Sequence, residues 1–198
     1  LLLLLQLRLL LLLVLLLLVL APPAAPSTVL GLVCEGGVLL SSDTTLTSRG
    51  VVLRADYHDW LLPLGPHTAL GVCGSSTDAR LLAAALLEVN RHSSIAYGHE
   101  LGSGALATYC RRLLAERARS NPFRCEVLLG AYDIYDRKAR LHWLDSIGTV
   151  HEVPYAAHGP QAPLLWSLLD RTARKGMTRQ EGLKVVEGCW RAVRGRGA

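Results

Sequence analysis

The order of its secondary-structure elements predicts that the chain forms an α+β domain, built as a four-layer sandwich in the order helix–sheet–sheet–helix. After the first 27 residues come short apolar and β-branched runs, then two helical stretches, a second block of strands and two more helices. Such segregated blocks, in contrast to strict β–α alternation, favour antiparallel sheets with helices on their outer faces. The chain has 198 residues, 51% of them hydrophobic, which is enough to bury one such core.

The first block is predicted to be an antiparallel meander of short strands. A turn at Glu35-Gly36-Gly37 separates the first two strands, Gly50 is a possible bend, and Gly65-Pro66 separates the last two. The predicted strands span residues 28–34, 38–42, 44–53, 60–64 and 68–73.

Four helices and a second strand block follow. Ser75 to Asp78 has the pattern of a capped helix start, and Thr178 and Glu181 form a capping box before the last helix. Asn121-Pro122 stops the second helix. The predicted helices cover 81–89, from 104 onward, 164–174 and 178–194, and the predicted strands of the second block cover 126–132, 141–145 and 149–153.

The first 27 residues form a Leu-rich leader, distinct from a domain at 28–198. Sixteen of the 27 are Leu, and Arg8 precedes an unbroken apolar run over residues 9–20. This pattern fits a secretory signal or membrane anchor, but it also fits plain low complexity, which we favour. The remaining 171 residues are about 47% apolar, which excludes collagen-like, disulfide-dense and intrinsically disordered classes for them.

The cysteines argue against export. There are five, an odd number, with no C-x-x-C pair, and the chain has no N-x-[ST] glycosylation site. Each lies in an apolar or helical run, where a free thiol behaves as a small hydrophobic group. The sequence therefore predicts a reducing compartment and no metal site, and it argues against a membrane or secreted location.

The charge distribution and the sequence motifs predict neither nucleic-acid binding nor a cofactor site. The net charge of +5 comes largely from the C-terminal quarter, where a solvated or subunit-facing basic surface is favoured over nucleic-acid binding because few aromatic residues are interspersed. No phosphate loop or dinucleotide motif predicts a cofactor. His58 and Asp59 are adjacent, a poor arrangement for a dyad, and the other histidines are predicted to be surface or capping residues.

Several strings in fixed order resemble the proteasome β-subunit family, which has the N-terminal-nucleophile hydrolase fold. Three are general to it: Gly37-Val-Leu-Leu-Ser-Ser-Asp43 with Thr47 after it, Gly74-Ser-Ser-Thr-Asp78, and Leu128-Leu-Gly-Ala-Tyr-Asp133. Others resemble its non-catalytic β4-type members: His58-Asp59, Arg111-Arg112-Leu-Leu-Ala, Tyr155-Ala-Ala-His-Gly159 and Leu168-Leu-Asp-Arg171. The resemblance runs from about residue 28 to residue 194.

The resemblance implies a catalytic pattern that this chain matches only in part. Active members are implied to use an N-terminal Thr whose own amine is the base, with an Asp and a Lys tuning that amine and a glycine N–H stabilising the oxyanion. Asp43 and Gly74 match the Asp and the glycine, and counting back from Asp43 places Ser27, followed by Thr28, at the nucleophile.

Other positions depart from that pattern. Pro26 stands where cleavage would require Gly, Trp60 stands at the Lys position, and Pro160 stands where a Ser is expected. Without the Lys no positive partner lowers the pKa of the amine. Asp43 and Gly74 then have structural interpretations, as a cap at a strand turn and as a close-packing residue before a helix.

The resemblance further implies a non-catalytic structural subunit of a heteromeric 28-subunit core of α and β subunits, located in the cytoplasm and nucleus. It implies that the last two strands of the fold are missing from this chain. Two alternatives stay open: an active threonine-type endopeptidase, and a membrane-anchored or secreted protein with an unrelated binding role.

Overall fold

A computed structural model describes residues 27–44, 46–48, 51–54 and 60–194, with side-chain surroundings for 27–44 and 60–194. Residues 1–26 of the Leu-rich leader, Gly50 and the His58-Asp59 pair lie outside these residues. The strands are β1 (Val29–Cys34), β2 (Gly37–Ser42), β3 (Leu46–Ser48), β4 (Val51–Arg54), β5 (Leu61–Gly65), β6 (Thr68–Gly74), β7 (Cys125–Asp133), β8 (Lys138–Leu144), β9 (Val150–Glu152) and β10 (Tyr155–His158). The helices are α1 (Ser76–Tyr97), α2 (Ser103–Arg117), α3 (Ala162–Thr172) and α4 (Arg179–Arg194).

The strands form two antiparallel sheets and a separate hairpin. One sheet has the order β10-β1-β2, the other β5-β6-β7-β8-β9, and β3 pairs only with β4 among the described strands. The predicted α+β sandwich is confirmed. The predicted single meander is wrong, because the first strands divide between the two sheets and the hairpin.

Three apolar layers hold the sandwich together. Leu82, Leu106 and Leu129 belong to the layer between helices α1–α2 and the five-stranded sheet. Val29, Leu128 and Leu141 belong to the layer between the two sheets. The third layer, between β1 and helices α3–α4, includes Leu32 and Leu165. Central strands are therefore apolar on both faces, which explains why they do not alternate cleanly in sequence.

Helix α1 is longer than the predicted 81–89. Polar residues after Val89 suggest exposure, but Asn90 and Ser93 are buried: Asn90 Nδ2 donates to Leu64 O at 3.0 Å, and Leu101 N donates to Asn90 Oδ1 at 2.9 Å. The helix ends only at Gly98, whose φ of 75° is the left-handed conformation of a helix C-cap. Among the described residues, no helix is both long and apolar enough to cross a membrane.

Strand β10 was not predicted, although Tyr155–Gly159 carries part of the resemblance. It pairs antiparallel with β1, placing Val29 opposite His158 and Leu32 opposite Tyr155. A four-residue run of this kind gives little local signal, and its pairing partner lies far away in sequence.

Two histidines contradict the prediction that the histidines are surface or capping residues. His142 is 6% exposed and His158 is 4% exposed. His158 is accommodated because its Nδ1 lies 3.0 Å from Glu126 Oε2 and its ring stacks on Trp143. Burial lowers the pKa of His142, which favours the neutral ring.

All five cysteines are buried free thiols, as predicted. Burial raises the pKa of Cys73, Cys110 and Cys125 to about 12. Since the thiolate is the reactive form, we expect iodoacetamide to alkylate these three only after unfolding. Mass spectrometry of the native and the urea-treated chain measures this, and rapid native alkylation of Cys73, Cys110 or Cys125 would contradict it.

Candidate functional site

The predicted nucleophile position lies at a buried corner where the chain enters β1. Ser27 and Thr28 precede the strand directly and are only 4% and 2% exposed. The corner is formed by the ends of both strands that flank β1, because Val29 pairs with Ser42 of β2 on one side and His158 of β10 on the other.

Backbone contacts hold the corner closed. Asp43 N donates to Thr28 O at 2.9 Å, which ties the end of β2 to the residue before β1. On the other side, Gly159 has a φ of 110°, and a Cβ there would lie 2.7 Å from Ser27 O and 2.8 Å from Thr28 Cα. Only glycine permits this close approach.

The two hydroxyls have sparse hydrogen bonding. Thr28 Oγ1 accepts one long bond, 3.4 Å, from the backbone N–H of Gln161. Ser27 Oγ is buried and has no hydrogen-bond partner among the described residues. The three lysines of the chain, Lys138, Lys175 and Lys184, are all exposed, so none lies in the buried environment of Thr28.

Trp60, the residue predicted to stand at the lysine position, is part of the apolar layer between the sheets. Trp60 is 3% exposed and packs in that layer together with Val29 and Leu128. Its carbonyl accepts a hydrogen bond from Val72 N at 2.9 Å. An indole therefore occupies volume where active members of the resembled family are implied to carry a cation.

Gly74 ends β6 in the other sheet and is required there for packing. Its φ is 127°, and a Cβ would overlap the carbonyl oxygen of Arg124 and lie 2.9 Å from Cys125 Cα. The next N–H, of Ser75, donates to Arg124 O at 2.8 Å, and Ser75 Oγ caps α1 through Asp78 N. These contacts agree with the interpretation of Gly74 as a close-packing residue before a helix.

Asp43 borders a surface cleft of about 850 Å³ between the end of β2 and α4. Trp190 Nε1 donates to Ser41 Oγ at 2.6 Å and fastens the helix to the strand beside it. The Asp43 region is thus a junction between the three-stranded sheet and α4, in addition to its backbone bond to Thr28.

The structure brings Ser27, Thr28 and Asp43 together, with Pro160 in the turn that closes the corner. Trp60 lies in the same apolar layer as Val29, which follows Thr28 in the chain, and the close neighbours of Gly74 are Arg124 and Cys125. The roles of Gly159 and Gln161 were not predicted. A glycine directly before Pro160 was the available signal, since Gly-Pro marks a turn.

An ionisable pair lies beside the corner. His158, which precedes Gly159, contacts Glu126, and the hydrogen bond from His158 lowers the pKa of that carboxyl. His158 Nε2 is buried without a hydrogen-bond partner among the described residues. The imidazole is therefore held by stacking and by one carboxylate, an arrangement that orients β10 against β7.

Comparisons with known proteins give a consistent result. The family model described as "Proteasome subunit" matches residues 24–197. Proteasome subunit beta type-4 of Saccharomyces cerevisiae is 34% identical over 162 residues, covering 81% of this chain and 81% of the relative. Probable proteasome subunit beta type-4 of Meyerozyma guilliermondii is 33% identical, with 81% and 84% covered. Proteasome subunit beta type-2-B of Arabidopsis thaliana is 27% identical, with 85% and 83% covered.

Proposed function

The chain belongs to the proteasome β-subunit family, and we propose that it is a structural, non-catalytic subunit of the core particle. Its role is to pack among α and β subunits of a heteromeric 28-subunit core in the cytoplasm and nucleus, without a cofactor, a metal or nucleic acid. Apolar-faced helices and strand edges suit such interfaces, which resemble a domain core cut in half.

The observation that carries the non-catalytic assignment is the position of Trp60. In an active subunit a lysine at this position is implied to favour the neutral, basic form of the Thr amine. Here the position holds a 3% exposed indole among Val29 and Leu128, and Pro26 replaces the glycine expected before the nucleophile. Neither activation nor the usual self-cleavage is supported by these residues.

An active threonine-type endopeptidase is the second candidate. Ser27 and Thr28 supply hydroxyls at the expected place, and Asp43 N is bonded to Thr28 O. What this candidate lacks, in the part of the chain that the structure describes, is a lysine beside the nucleophile position. In the uncleaved chain Ser27 and Thr28 are also buried, at 4% and 2% exposed.

We expect Ser27→Ala and Thr28→Ala, separately and together, to leave the peptidase activities of purified core particles unchanged. The particles are isolated through an affinity tag on this chain and assayed with fluorogenic peptides cleaved after acidic, basic and apolar residues. Thr44→Ala is the matched control, because Thr44 is exposed and lies near the same corner. An epoxyketone-type probe is expected to label other subunits and not this chain.

Two results would contradict the proposal. A covalent adduct mapped by peptide mass spectrometry to Ser27 or Thr28 would support the endopeptidase instead. Elution of the tagged chain only as a free monomer in gel filtration, without other subunits, would remove the structural role in the core.

A further inference from the structure

A second cleft, of about 680 Å³, opens where four connections of the sandwich meet. These are the β1–β2 turn, the β7–β8 turn, the link from β9 to β10 and the link from α3 to α4. We call it the basic cleft, since Arg137, Lys138, Arg174 and Lys175 line its rim. It is separate from the Thr28 corner and from the Asp43 cleft.

The four rim cations of the basic cleft make no close ion pair within the described residues. Arg137, Lys138, Arg174 and Lys175 are exposed, and none of them makes an ion pair within 4 Å with another described residue. A fifth cation, Arg140, is different, because Asp133 and Asp136 bind it.

Two carboxylates also line the cleft and limit the kind of anion that fits. Glu152 lies 3.8 Å from Arg140 Nε, and Glu35 stands in the β1–β2 turn. Closely spaced phosphates along a nucleic-acid backbone would meet these carboxylates as well as the cations. Separate carboxylates on a flexible peptide can reach the four rim cations and avoid Glu35 and Glu152.

The floor of the cleft is apolar. Leu32 and Cys34 of β1 are almost fully buried beneath it, and Val33, Pro154 and Tyr155 cover part of its wall. Tyr155 is the one aromatic side chain of the lining and its hydroxyl donates to Asp170 Oδ1 at 2.8 Å. Single-stranded nucleic acids bind on several stacking aromatic rings, which this lining lacks.

We propose that the basic cleft binds an extended acidic segment of another polypeptide, with carboxylates on the rim cations and an apolar side chain against the wall formed by Val33, Pro154 and Tyr155. The expected segment carries three or more Asp or Glu residues around one or two large apolar residues. The proposal names a class of partner, an acidic peptide segment, which the proposed structural role does not specify. It does not depend on whether Thr28 is catalytic.

The backbone conformation of Arg137 allows a second, independent test of the cleft. Its φ of 55° is the only positive φ of a non-glycine residue in the described part of the chain. L-residues adopt this conformation at a cost that glycine does not have. Arg137→Gly therefore removes a rim cation while relieving the turn, so it separates loss of binding from loss of folding.

The test is a fluorescence anisotropy titration of the full chain with a labelled heptapeptide, Glu-Asp-Leu-Asp-Glu-Phe-Asp. We expect saturable binding that weakens as NaCl rises from 50 to 300 mM, and no binding of the same peptide with Gln and Asn in place of Glu and Asp. The double variant Arg174→Glu, Lys175→Glu is expected to weaken binding at least tenfold. Arg137→Gly is expected to weaken it severalfold with an unchanged or higher melting temperature.

The matched control is Arg91→Glu with Arg119→Glu, which changes net charge equally at exposed positions outside the cleft; binding should stay within twofold of the parent. An equal loss of peptide affinity in the control would mean that binding depends only on the net charge of the protein, and it would overturn the proposal. Absence of saturable binding, or tighter competitive binding by a ten-nucleotide oligothymidylate, would overturn it too.

Discussion

Gly74→Ala is expected to lower the free energy of unfolding by about 4 kcal/mol, which for a domain of this size lowers the melting temperature by about 10 °C. A φ of 127° is a conformation that alanine rarely adopts, and the added Cβ would overlap the Arg124 carbonyl and crowd Cys125 Cα. Left-handed backbone costs about 1–2 kcal/mol, and overpacking costs about 1–3 kcal/mol. Urea unfolding followed by circular dichroism measures the change.

Gly104→Ala is the matched control. Gly104 lies in the first turn of α2, a Cβ added to it would meet no heavy atom within 4 Å, and its φ is not positive. Alanine there should therefore stabilise the chain by up to about 1 kcal/mol. The comparison also bears on the role of Gly74. If Gly74 served only to offer its N–H to an oxyanion, alanine would keep that N–H and stability would not change.

Local signals explain why most of the fold was predictable from sequence. Ser75 caps α1 through Asp78 N at 3.3 Å, and Thr178 and Glu181 bond reciprocally at the start of α4. Each such motif spans four residues, and the turn at Glu35–Gly37 is equally local. Fold class follows from the order of these units, which needs no knowledge of their pairing.

The candidate site was harder to predict from the sequence than the fold, because its contacts join residues that are distant in sequence. The nucleophile position, the Asp and the Lys position were placed by resemblance, but nothing local to Thr28 indicates that Gly159 and Gln161 close over it from 131 and 133 residues away. Strand β10 was missed for the same reason. Burial of His158 depends on Glu126 and Trp143, which lie on two other strands.

The start of α2 is a further case of a distant contact. Its N-cap residue, Gly102, has no side chain to cap the helix. The cap comes instead from Asp133 at the end of β7: Oδ1 accepts from Ser103 N at 2.8 Å and Oδ2 accepts from Ser103 Oγ at 2.7 Å. Asp133 also binds Arg140, so one carboxylate joins α2, β7 and β8.

Asp133→Ala is accordingly expected to lower the free energy of unfolding by about 3 kcal/mol. The change leaves Ser103, which is 0% exposed, without its partner, and it removes bonds to a charged group that contribute about 1.5–3 kcal/mol. Asp136→Ala is the control: Asp136 binds the same Arg140 but is more exposed and caps no helix, so its loss should stay below about 1 kcal/mol.

The pH dependence of stability tests the same contact independently. Burial alone would raise the pKa of Asp133, but the bonds from Ser103 and Arg140 outweigh it and lower the pKa below its usual 3.8. A lowered folded-state pKa means that the carboxylate stabilises the fold above about pH 4 and that this contribution disappears as pH falls through the folded-state value. The free energy of unfolding of the parent should therefore exceed that of Asp133→Asn by the full difference at pH 7, and this difference should shrink below pH 4. An advantage that stays constant from pH 7 to pH 3 would mean that the carboxylate charge at α2 contributes nothing to stability.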